Sequence, residues 1–169
     1  MHTFQPLDLN EFMESPFELV SNSGLLVTSE FEGKLNPANS YWGGLGAMWG
    51  KPAVFIVLGE TSYTGEIMAK SGMFSVSFLD KAKYHSMLKY MAQISGRNED
   101  KIAGARLNVA YRHKIPYTDE ADKVILSRVM YKGPLDESMI QVKDVKDKFY
   151  EENHKHDIYI GEVIEVLAR

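Results

Sequence analysis

Apolar and polar residues alternate with a period of two over several short stretches of this chain and with the helical period over a few others. Met73 to Leu79 is the cleanest case, with Phe74, Val76 and Phe78 on one side and Ser75 and Ser77 on the other, which predicts a half-polar strand. Phe17-Glu-Leu-Val20, a turn at Asn22-Ser-Gly24 and the run Leu25 to Phe31 predict a hairpin; Leu25, Val27 and Phe31 share a parity that only Ser29 breaks. Ala53 to Leu58, entered through Lys51-Pro52, is short, apolar and β-branched, as a strand covered on both faces would be. Val124 to Tyr131, broken by Gly133-Pro134, and Ile158 to Leu167 complete the strand set. Helical signals are fewer. Gly65 to Lys70 has hydroxyls before it for an N-cap and Ser71-Gly72 after it as a stop. Asp80 opens a longer helix, where Tyr84, Met87, Leu88, Met91 and Ile94 keep helical spacing until Ser95-Gly96. Asp8 or Asn10 caps a turn holding Phe12 and Met13, which Pro16 closes, so residues 1–16 read as an N-terminal clasp. The alternating charges from Lys132 to Asn153 read as a loop.

At least six short strands with helices inserted among them predict a mostly β fold, an antiparallel barrel or an α+β arrangement, not a doubly wound sheet. At 169 residues one domain spanning 1–169 suffices, and it buries a core without staples. The chain has no cysteine, so disulfides, thiolate catalysis and iron–sulfur clusters are excluded, and any redox role must use a cofactor. A net charge of −4 disfavours a phosphate backbone as partner. No run has the length of a membrane span, and the N-terminus carries acids where a targeting segment has bases, so the expected location is cytoplasmic.

Gly43-Gly-Leu-Gly46 has the wrong spacing for a dinucleotide loop, follows the polar stretch Asn36 to Trp42 rather than a buried strand, and runs into Lys51-Pro52 where a helix should begin. Its glycines instead suit a backbone passing close to a flat ligand or to another chain. His154 and His156 with Glu162 have the composition of a metal set, yet they read more simply as a solvated loop histidine and a strand-edge histidine. Ser95-Gly96-Arg97 with Lys101 places two cations and a hydroxyl just beyond a helix end, and Thr61-Ser62-Tyr63-Thr64 places hydroxyls at a helix start. Each is also an ordinary helix-end pattern; together they suggest a mononucleotide phosphate held from two sides.

The ordered series Asn36-Pro-Ala-Asn-Ser-Tyr-Trp-Gly43, Trp49-Gly-Lys-Pro-Ala-Val54, Thr61 to Thr64, Ser71 to Leu79, Ser95-Gly-Arg97 with Asp100-Lys101, and His156-Asp-Ile-Tyr-Ile-Gly-Glu-Val163 resembles the flavin reductase-like family, and within it flavoredoxin-type proteins. The resemblance implies an FMN-binding split β-barrel, a homodimer with flavin near the subunit interface, and electron supply by NADH or NADPH. It places Asn39, Ser40, Tyr41 and Trp42 along the ring and ribityl chain, with Trp49 closing the pocket. It puts Ser62, Tyr63 and Thr64 with Ser95, Gly96, Arg97 and Lys101 around the phosphate, and His156 on the nicotinamide or substrate side as the catalytic residue. Three alternatives stand beside this oxidoreductase: a non-enzymatic FMN carrier fed by a protein partner, pyridoxamine-phosphate-oxidase-like chemistry on the same barrel, and a metal protein using His154 and His156.

Overall fold

The computed structural model describes residues 1–23, 25–150 and 154–169, which form ten strands and five α-helices. Strands β2 (Leu25–Phe31), β3 (Lys34–Ser40), β4 (Gly43–Met48), β5 (Lys51–Gly59), β6 (Met73–Phe78), β9 (Lys123–Pro134) and β10 (His156–Ala168) make one antiparallel sheet in the order β3-β2-β6-β9-β10-β5-β4. β1 (Gln5–Leu7) joins it on the last residues of β10, and β7 (Val109–Arg112) with β8 (Ile115–Thr118) forms a separate hairpin. The sheet is open, with β3 and β4 as its edges. β10 pairs with β5 over its first half and with β1 over its last three residues, and its register with β9 shifts at Ile160/Gly161 and at Val163/Glu165. Such bulges bend a strand and let one sheet curl toward a barrel. No helix among the described residues is long and apolar enough to cross a membrane.

Alternation along the strands feeds two cores. Leu25, Val27, Phe74, Val76, Phe78, Ile125 and Val166 face one, with Ile56 and Tyr159; Leu26, Val124, Leu126 and Leu167 face the other, with Met91, Ile115 and Tyr117. Each of these larger side chains contributes about 1.5–3 kcal/mol by leaving water. The polar side of β6 is buried too. Ser75 Oγ donates to Pro116 O at 2.6 Å and Ser77 Oγ accepts from Thr118 N at 3.3 Å, so the serines are anchors for β8 and not a solvent face.

The expected helices are present. α2 (Tyr63–Ser71) starts at Ser62, whose Oγ accepts from Gly65 N, and stops at Gly72, whose φ of +68° is the left-handed turn that glycine adopts without strain. α3 (Lys81–Gln93) starts on Asp80, whose Oδ1 accepts from Ala82 N and Lys83 N. α4 (Lys101–Ala105) starts on Asp100 in the same way. The expected N-terminal strand is corrected: Phe17 to Val20 lies within α1 (Pro16–Ser23), where Pro16 opens a helix instead of ending a turn. Asn22 and Ser23 belong to that helix, and Gly24 of the expected turn lies outside the described residues. The stretch expected as a loop contains the end of β9, a single turn at Glu137–Met139 and α5 (Lys143–Phe149); its residues 151–153 lie outside the described residues. The polar stretch from Asn36 is strand β3, and Gly43 to Met48 is strand β4. At Gly43 a Cβ would stand 2.1 Å from Phe55 O, so that glycine serves close approach of β4 to β5 of the same chain.

Candidate functional site

A cavity of about 500 Å³ opens where the end of β3, the Tyr41-Trp42 link, the end of β5, the start of α2 and the first residue of β10 meet. Asn39, Ser40, Tyr41, Trp42, Ser62 and His156 all line it. A larger cavity of about 570 Å³ lies between the N-terminal segment and the β4–β5 hairpin, but its wall is mostly apolar and its one ammonium, that of Lys51, is engaged by Glu162. The smaller cavity is where the chemistry converges.

Its geometry follows from strand ends tied to one another. The Ser40 hydroxyl lies 2.8 Å from Val57 O and 3.1 Å from Trp42 O, and Val57 N donates to Trp42 O at 3.1 Å, so the link after β3 is clamped onto β5. That clamp aims the Trp42 indole at His156, ring centres 4.7 Å apart, and at Phe149, 5.2 Å away and edge-on. Tyr150 stands edge-on to His156 at 5.2 Å. Burial first, and His154 second, holds the His156 imidazole below its usual value of 6.5, which favours the uncharged ring. Two of the residues in this wall each carry a buried polar atom without a partner among the described residues: Asn39 Oδ1 and His156 Nδ1.

The sequence-predicted phosphate residues separate. Arg97 lies beside the first turn of α2, with its guanidinium donating to both Glu66 carboxylate oxygens and to Thr61 O and standing 5.0 Å from the Tyr63 ring centre. The hydrogen bond from Arg97 holds the Glu66 carboxyl below its usual range. Ser62 faces the cavity. Thr64 is turned inward, where its hydroxyl accepts from Asn36 Nδ2 at 2.8 Å. Ser95 Oγ accepts from Arg97 N, and Gly96 lies so close to Asn36 that a Cβ would stand 1.8 Å from Asn36 Oδ1. Lys101 is only 5% exposed and donates to Met91 O at 2.8 Å, because Asp100 starts α4 in a direction that folds the lysine under the last turn of α3. The two cations that spacing set beside one phosphate are thus turned to different partners.

Trp49 is not brought to this cavity. It sits at the tip of the β4–β5 hairpin with φ +52°, 62% exposed, while the cavity is at the Gly43 end of the six-residue strand, about 20 Å away at 3.4 Å per residue. Nor does a metal set form: Glu162 is held by Lys51 and Arg128, and among the described residues no three His, Asp or Glu side chains gather around one point. Phe149, in the wall, and Tyr150, which packs on His156, are residues that the sequence reading missed. Val145 and Phe149, four apart with Lys143 and Asp147 paired at the same spacing, carried the helical signal.

Residues 49–169, well over half of the chain, match the family model of the flavin reductase like domain. The chain belongs to this family. Solved structures agree on the fold. The FMN-binding domain of a flavin reductases-like enzyme from Shewanella baltica superposes with a TM-score of 0.70 at 16% identity, covering 98% of this chain and 77% of its own. Flavoredoxin from Methanosarcina acetivorans gives 0.67 at 21%, covering 87% and 68%. Nitrilotriacetate monooxygenase component B from Bacillus cereus gives 0.67 at 21%, covering 98% and 82%. No curated protein sequence matches the chain. The open, curled antiparallel sheet described above is this flavin reductase-like fold, compatible with a split barrel.

Proposed function

We propose that this chain binds FMN in the cavity walled by Asn39 to Trp42, Val57 to Gly59, Ser62 and His156, and acts as an oxidoreductase supplied by NADH or NADPH. The observation that carries this is the convergence of Asn39, Ser40, Trp42, Ser62 and His156 on one cavity of ligand size within a flavin reductase-like chain. The residues fit the group. The open N–H groups of the first turn of α2, with Ser62 and the Arg97 guanidinium beside them, suit a phosphate, and the aromatic wall of Trp42 suits a flat ring. FMN, when bound, supplies reversible two-electron chemistry.

The rest falls to the chain. Trp42, Phe149 and Tyr150 keep water from the His156 side. Neutral His156 offers a hydrogen bond to a donor or acceptor substrate without bringing a charge, and Arg97 exchanges part of its pairing with Glu66 for the phosphate. A second copy of the chain belongs to this reading; the edge of β4, uncharged from Gly43 to Met48 and paired only with β5, supports it.

The test is purified protein soaked in FMN, then mixed anaerobically with NADH or NADPH, with its mass read by light scattering. The expected result is a yellow dimer whose visible band bleaches. Protein that takes up no FMN rejects the site. Bound FMN that neither nicotinamide bleaches rejects the donor and favours a carrier fed by a protein partner.

A further inference from the structure

Two smaller cavities, each of about 340 Å³, border the flavin cavity and share a wall residue with it. The one beyond His156 sets the carboxylates of Glu60, Asp136, Glu137 and Asp157 against Lys155. The one beyond Tyr41 has the opposite charge. Lys81, His85 and Lys89, spaced by four along α3, line it, and among the described residues no carboxylate does. Neither ammonium has an ion-pair partner among the described residues. Asn39 Nδ2 donates to Tyr41 Oη at 2.9 Å and to Leu88 O at 3.1 Å, which ties the end of β3 to α3 at the boundary between this cavity and the flavin cavity.

We infer that the cavity beyond Tyr41 receives the phosphomonoester that distinguishes NADPH from NADH, so that NADPH is the preferred donor. This rests on the nicotinamide-dependent reading above. A nicotinamide at the flavin ring carries its adenosine half out of the flavin cavity, and the charge on either side decides the direction. Toward His156 a phosphate meets carboxylates, of which Asp136 is held below its usual range by hydrogen bonds from the Ser138 hydroxyl and N–H. Toward Tyr41 it meets cations. Lysine ammonium groups bind phosphate as point charges, and a phosphomonoester brings them about −1.5 to −2 near neutral pH with three acceptor oxygens. Each phosphate of the diphosphate bridge, common to both dinucleotides, carries a single charge. The stripe from Lys81 to Lys89 is about 12 Å long at 1.5 Å per residue, long enough to engage the bridge at one end and the phosphomonoester at the other. Leu88 and Tyr41 supply apolar surface for the adenosine beside the cations.

The decisive measurement is affinity, with no turnover needed. Titration calorimetry of the full chain, soaked in FMN, gives dissociation constants for oxidised NADP and oxidised NAD, which differ only in the phosphomonoester. Wild type is expected to bind NADP about tenfold more tightly, the scale of one charge-assisted hydrogen bond. Lys81→Met and Lys89→Met keep an apolar stem and are each expected to weaken NADP about fivefold, the upper end for an exposed ion pair, with a smaller effect on NAD. Lys83→Met makes the same change of charge on α3 outside the cavity and is expected to match wild type. All three positions are exposed, so the fold does not depend on them. Equal affinity of wild type for the two dinucleotides overturns the inference and leaves the nicotinamide donor standing. A preference that survives in both cavity variants, or that Lys83→Met reduces as much, overturns it too. Binding of neither dinucleotide by FMN-loaded protein overturns the inference together with the nicotinamide donor, while failure to take up FMN rejects the whole function proposed above.

Discussion

Lys101 and Arg97 lie four residues apart and meet different chemistry. Spacing alone made both cations neighbours of one phosphate; the cap at Asp100 turned one of them inward, and no residue count could have shown that. Burial pushes the Lys101 ammonium down to about 8 from the ordinary 10.5. Between those two values the unfolded chain holds a proton that the folded chain has lost, so stability rises with pH across that window. Below pH 8 both states carry the charge, and the folded state bears its desolvation in full. Lys101→Met should flatten the rise of Tm between pH 8 and 10 relative to wild type and leave FMN affinity as it was. Arg97→Ala should do the reverse, weakening FMN by about 1.5 kcal/mol, the low end for a charge-assisted hydrogen bond because Glu66 competes for the guanidinium. Weakened FMN binding in Lys101→Met with an unaltered pH slope would put the lysine back at the phosphate.

At the scale of elements, legibility follows burial on one face. β2, β6 and β10 announce themselves because one parity is apolar, and α2 and α3 because hydroxyl or carboxylate caps precede them and helical apolar spacing follows. β3 and β4 do not, since Asn36-Pro-Ala-Asn-Ser40 and Gly43 to Met48 are edge strands held by pairing, with few large apolar side chains of their own. α1 was misread because Phe-Glu-Leu-Val suits either period. α5 is written in lysines and aspartates, and Phe149 anchors it to the site. That anchor gives a prediction. Phe149→Ala removes an edge-on aromatic pair worth about 0.5–1.5 kcal/mol beyond its buried area. The sheet stays folded, while the Trp42 indole becomes accessible to acrylamide and FMN binds more weakly. Trp49, already exposed at its hairpin tip, contributes a constant quenching background. Quenching identical to wild type would mean that α5 does not cover the site in solution.

Over the whole molecule, the sheet order was the least accessible feature, because β10 draws its partners from residues 5–7, 51–59 and 123–134, and no local pattern specifies pairing across such separations. The N-terminal clasp was legible as a segment, but its function is visible only in three dimensions. His2 N and Nδ1 both meet the Asp119 carboxylate, which is only 3% exposed; Phe4 packs edge-on against Tyr117 at 5.2 Å; and β1 extends the sheet on β10. None of these residues lines the cavity of Trp42 and His156. Removing residues 1–7 uncovers the second core beside Tyr117 and leaves Asp119 without its N-terminal partners. The aromatic contact is worth about 1.5–3 kcal/mol if fully buried, and the hydrogen-bonded carboxylate adds a charge-assisted bond of about the same size. Both are discounted here because Phe4 and His2 keep part of their surface in water. A loss of about 2–4 kcal/mol in urea unfolding is therefore expected on these principles, with the FMN dissociation constant extrapolated to zero denaturant unchanged. If truncation loosened FMN as strongly as it loosened the fold, the clasp and the flavin cavity would be one cooperative unit, and the division of labour drawn here, stability from the β1 end and chemistry from the β3 end, would be wrong.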